Sequence, residues 1–174
     1  MSSLAEIKKK ALLAEIVSTR QDILAAAAEI PAVLRFESFV GHWNVMDLLA
    51  HMTGWDNANR QAVDAVRSGQ LPAFYQYAER NWVTFNDKLV AEYRSNDLDA
   101  LSAGVRETQR QLVAVLEAVP ADDFDRDFKV RFRKYKVTIS RLLRAELQDE
   151  KQHLTQIKRA AALTRGVKPM DANP

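Results

Sequence analysis

The sequence predicts an all-α chain: a four-helix bundle with a long crossover between its second and third main helices. Three observations carry this. Four stretches repeat apolar residues at three- and four-residue steps, the spacing of one helix face. Each of them opens or closes on a capping residue or a proline. Gly and Pro number only 5 each in 174 residues, under the averages of about 7% and 5%. A many-stranded sandwich needs a turn about every ten residues and is therefore excluded.

The first helix opens on Ser3 and Glu6, an S-x-x-E capping box in which each side chain serves an unpaired backbone N–H. Its stripe runs Leu12, Ile16, Thr19, Ile23, Ala26, Ala27 and Ile30, and Pro31 stops it. Residues 32–43 read as a connection with Phe36, Phe39 and Val40 packed over the core. Asn44 caps the second helix, and Asp47 sits favourably in its first turn. The apolar face there is Val45, Leu48, Met52, Trp55, Ala62 and Val66, fading at Ser68-Gly69.

Residues 69–96 form a long excursion, in which Trp82, Phe85, Leu89 and Tyr93 predict a short helix across the bundle. Asn96 or Asp97 caps the third main helix, striped by Leu98, Leu101, Val105, Thr108, Leu112, Val115, Leu116 and Val119 and closed by Pro120. Between Asp122 and Val137, Phe128, Val130 and Phe132 alternate with basic residues, as in a strand. A lone strand lacks a partner, so an extended, locally paired connection is expected. Thr138 caps the last helix, which continues to about Thr164. The expected organisation is one domain over residues 1–165 and a disordered tail over 166–174. The short first link permits antiparallel neighbours, and the long second link permits parallel ones.

Bulk composition narrows the function. The chain carries 25 basic and 23 acidic residues, net +2, so it has no general pull toward nucleic acid or membrane. The run from Lys129 to Lys136 interleaves basic and aromatic residues. Such a run can bind nucleic acid, but a solvated edge is the commoner reading, so nucleic acid is not the expected partner. No apolar run reaches transmembrane length and no signal peptide is evident, which leads us to expect a cytoplasmic protein. Cysteine is absent, excluding disulfides, Cys-based zinc sites and thiolate catalysis. Histidine occurs only as His42, His51 and His153.

The last helix carries an anomaly. Leu142, Glu146, Asp149, His153, Gln156 and Ala160 follow the spacing that elsewhere holds aliphatic side chains. Buried charge needs a partner, and His51 on the second helix offers one. If those helices are neighbours, His51, Asp149 and His153 form a three-ligand site with open positions. A solvent-exposed face or a metal-free hydrogen-bond network accounts for the same residues. A di-iron site is excluded: Glu150-x-x-His153 supplies one E-x-x-H, and neither His42 nor His51 has a Glu three residues before it. Trp55, Trp82, Tyr75 and Tyr77 can line a pocket mouth, but helical spacing favours a core role for Trp55 and Trp82. His42 reads as a loop residue.

The stretch from Trp43 to Asp56, with its LLAH element, resembles the second-helix signature of DinB/YfiT-like proteins. The stretch from Asp149 to Ile157 is similar to their last-helix signature, commonly H-x-x-x-H-x-x-Q-I. The wording LLAHMTGWD, with FNDKL at Phe85 to Leu89, resembles the DfsB/ClbS-like subgroup. The resemblance implies an up-down-down-up bundle and a divalent metal (Zn, Ni, Mn or Fe) on three histidines. His51 and His153 match two of them, and Asp149 stands at the third. It implies a metal-dependent transferase or hydrolase acting on a small electrophilic molecule, in some relatives with a low-molecular-weight thiol, and a homodimer. Glu146 or Glu150 would then serve as general base or support the ligands. The alternative is a metal-free small-molecule binding or self-resistance protein of the same fold.

Overall fold

The structure is a computed structural model and describes residues 2–77 and 82–164. Five α-helices follow in order: α1 (Leu4–Ala28), α2 (Val45–Arg67), α3 (Val83–Tyr93), α4 (Leu98–Ala118) and α5 (Ile139–Thr164). The four long helices make the bundle and α3 lies within the crossover. The expected tail over 166–174 falls outside the described residues.

The caps act as their side chains dictate. The Ser3 hydroxyl accepts from the Glu6 amide. Asn44 and Asp47 form a reciprocal capping box that pins the start of α2. Asp97, not Asn96, caps α4, accepting from the amides of Asp99 and Ala100. Thr138 Oγ1 accepts from the Arg141 amide at the start of α5.

Two apolar clusters give the helix directions. One joins the C-terminal ends of α1 and α5, through Ala27 and Ile157, to the N-terminal halves of α2 and α4, through Leu48 and Leu101. The other joins the N-terminal halves of α1 and α5, through Leu12 and Leu143, to the C-terminal halves of α2 and α4, through Val66 and Leu116. Thus α1 and α5 run together, α2 and α4 run together, and the two pairs are antiparallel. This is the up-down-down-up order, made possible by the long α2–α4 link.

One local expectation needs correcting, and two others gain detail. Phe36 is exposed, whereas Phe39 and Val40 of the first link pack on the core, together with Leu34 and Trp43. The alternating segment is locally paired, as expected: β1 (Arg131–Phe132) pairs antiparallel with β2 (Tyr135–Lys136). Arg133 closes that hairpin with φ +53°, the left-handed geometry of a tight turn. On α5 the core stripe is Ile139, Leu143, Leu147, Ile157 and Ala161. The seam at Leu142, Glu146 and Asp149 lies beside that stripe and lines a cavity instead. No described helix is long and apolar enough to cross a membrane.

Candidate functional site

The sequence of α2 sets His51 one turn after Leu48 and one turn before Trp55, so all three share a face. His51 is buried, its ring packed against Trp43 with centroids 4.9 Å apart. On α5, Asp149 and His153 are one turn apart and face the same way. Because α2 and α5 are antiparallel neighbours, the three side chains meet.

His51 Nε2 lies 3.4 Å and His153 Nε2 3.2 Å from the same carboxylate oxygen, Asp149 Oδ2. The two imidazoles stand edge to face, centroids 5.4 Å apart and planes at 87°. One donor atom from each of the three residues lies within 4.8 Å of the others. His153 Nδ1 donates to Gln156 Oε1 at 2.8 Å. A carbonyl oxygen only accepts, so that bond puts the proton on Nδ1 and turns Nε2 toward Asp149. The set suits a divalent cation: two imidazole nitrogens and one half-exposed carboxylate, the latter a hard ligand that widens the range of acceptable metals.

Electrostatics differ among the three. Burial pushes the His51 pKa down, so it is neutral at pH 7. Burial acts the same way on His153, but the Asp149 carboxylate outweighs it and raises the pKa. Burial alone would raise Asp149; hydrogen bonds from His153 and His51 overcome it and hold the carboxyl well below its usual range.

The two glutamates expected near the site part company. Glu150 gives its carboxylate to the Arg20 guanidinium in a buried ion pair. Glu146 lines the cavity, and its Oε1 is buried without a hydrogen-bond partner among the described residues. Burial, reinforced by the charges of Glu150 and Asp149, pushes the Glu146 pKa well up and favours its protonated carboxyl.

That cavity, of about 530 Å³, opens beside Asp149. Trp55, Phe74, Tyr75 and Trp82 wall it, so Trp55 and Trp82 are cavity walls as well as packing groups. The Trp55 and Trp82 rings meet edge to face at 6.3 Å, and Trp55 Nε1 donates to Asn86 Oδ1 at 3.0 Å. Asn59 Nδ2, also buried and without a partner among the described residues, lies on the same wall. His42 stands outside the site, 75% exposed and 3.4 Å from Asp87.

Sequence reasoning missed one group, the fully buried Arg20. It bonds both Asp56 oxygens, at 2.9 and 3.1 Å, as well as Glu150. Thr108 Oγ1 donates to Asp56 Oδ2 at 2.8 Å. Arg20 lies one turn after Ile16 in the α1 stripe, which is the signal that could have exposed it.

The profile of the DinB superfamily matches residues 15–157. No curated protein and no solved structure matches the chain significantly.

Proposed function

This chain belongs to the DinB superfamily, and from that membership we propose that it is a metal-dependent enzyme acting on a small electrophilic molecule. The observation that carries the reading is the convergence of His51, Asp149 and His153 beside a cavity. These three residues hold the cation in this reading. A divalent cation there supplies Lewis acidity and favours the deprotonated form of a water or a low-molecular-weight thiol.

The protein's own groups do the rest. The aromatic walls bind an apolar substrate body and keep water away from it. Glu146, whose protonated form burial favours, gives that proton to the group that departs from the electrophile and takes one back afterwards. Gln156 holds the His153 ring in the orientation the site needs. Glu150, bound to Arg20, anchors α5 and does not take part in proton transfer.

Untagged protein tests this by metal analysis and by calorimetric titration with Zn, Ni, Mn and Fe salts. One equivalent bound, and its loss in His51→Ala and His153→Ala, supports the reading. No affinity for any of the four overturns it.

A second reading has its own observation. Asp149 Oδ2 already faces both imidazoles at 3.2–3.4 Å, a network complete with protons alone. On that reading the chain is a metal-free binding or self-resistance protein. Ligand protection that survives both EDTA and His51→Ala supports it.

A further inference from the structure

The cavity beside Asp149 reaches Ala145. A second, smaller cavity of about 270 Å³ lies against the hairpin. Tyr75, Leu142 and Ala145 line both cavities, so the two adjoin along α5. The far wall of the second carries Phe132, Tyr135, Lys136 and Arg141. Residues 141, 145 and 149 recur at four-residue steps and share one face of the helix. Eight residues at the helical rise separate Arg141 from Asp149 by about 12 Å.

The two ends of this surface differ in charge. The Asp149 carboxylate stands at one end. Lys136 and Arg141 stand at the other. The Arg141 guanidinium has no carboxylate partner among the described residues. It lies over the Tyr135 ring, 5.9 Å from its centroid, and its charge acts on the Tyr75 hydroxyl. Neighbouring Arg131 differs: Asp127 takes both its terminal nitrogens, at 2.7 and 2.8 Å. Lys136 reaches that same occupied Asp127 only at 4.0 Å. An unclaimed guanidinium at the end of an apolar groove is suited to a planar acid group.

We propose that the two cavities form one groove for an elongated amphipathic acid, whose apolar body lies on Tyr75 and whose carboxylate is read by Arg141 and Lys136. The acid group then sits about 12 Å from the end handled at Asp149. The proposal rests on the small-molecule reading above and gives it a substrate class.

Phenylhexanoate, phenylhexanamide and phenylhexylamine share one body and differ in the terminal group. Their binding is followed by quenching of tryptophan fluorescence in metal-free protein with EDTA present. The wild type should bind the acid about 5-fold tighter than the amide and the amine weakest. Arg141→Gln together with Lys136→Gln should bring the acid to the amide's affinity and leave the amide unchanged. Arg141→Glu should invert the order in favour of the amine. Equal binding of acid and amide by the wild type, an acid preference that survives the double variant, or absence of saturable quenching overturns the proposal. Both positions are exposed, and circular dichroism checks that the variants are folded. The readout is taken without metal, so failure of the metal reading leaves it unmoved.

Discussion

Glu150 spends its carboxylate on the buried Arg20 guanidinium, while Asp149, the residue before it, faces two imidazoles. Adjacent acids on α5 thus serve opposite ends of one arrangement. Glu150 fixes the rotation of α5 against α1, and that rotation aims Asp149 and His153 at His51. Burial drives Glu150 toward its protonated form, and Arg20 opposes this. Burial also works against the charge on Arg20, but Glu150 and Asp56 more than compensate and keep it protonated.

Arg20→Met tests how much this network holds. It leaves Asp56 and Glu150 buried without their cation, a change that costs about 3–5 kcal/mol. Urea unfolding followed by circular dichroism should show that loss. A change below about 1 kcal/mol would mean that the acids find other partners.

The Gln156 contact bears on the metal reading through one bond. Gln156→Ala frees the His153 ring without removing a ligand. The affinity for zinc should fall about 10–100-fold, with unfolding stability little changed. Calorimetric titration of the two proteins compares them directly. Asp149→His is the complementary change: an imidazole in place of the carboxylate should raise affinity for Ni and Zn relative to Mn by at least about tenfold.

Glu146 ties the cavity to pH. The folded protein keeps this proton at pH values where the unfolded chain has released it. Stability contributed by the protonated form is therefore present below the ordinary glutamate value of about 4.3 and declines as pH rises above it. Glu146→Gln keeps the neutral group at every pH. Its melting temperature should equal that of the wild type near pH 4 and exceed it increasingly toward neutrality. Parallel melting curves across that range would show Glu146 ionised in the folded state.

Much of this was legible in the sequence, for physical reasons. The caps at Asn44, Asp97 and Thr138 act within one turn, so local sequence suffices to find them. The spacing of Asp149 and His153 fixes a shared face whatever surrounds it. Periodicity can place Arg20 on the buried stripe of α1, but it cannot find its acids, which lie 36 and 130 residues away. The aromatic spacing of Trp55 and Trp82 says that both are enclosed, but not whether by side chains or by a cavity. The hairpin turn at Arg133 was hidden because its positive φ falls on a residue that does not advertise one.

Gly54 decides how closely α3 approaches α2. A Cβ on it would meet Leu89 Cβ at 2.7 Å and Leu89 Cδ2 at 2.9 Å, closer than carbon atoms tolerate. Alanine is the better helix former by about 1 kcal/mol, so in an open helix Gly54→Ala would stabilise. Here the overlap involves the stem of Leu89, which moves only with its helix, and overpacking costs about 1–3 kcal/mol. The overlap should win, with a net loss of about 1 kcal/mol or more in urea unfolding. Pairing it with Leu89→Ala should recover part of the loss, a coupling that a double-mutant cycle reads directly. The cavity should feel the change as well, because α3 carries Asn86, which receives the Trp55 Nε1 proton. Displacing α3 breaks that bond, and the tryptophan emission should shift to the red. Unchanged emission together with a stability gain would show that α3 is free to move aside.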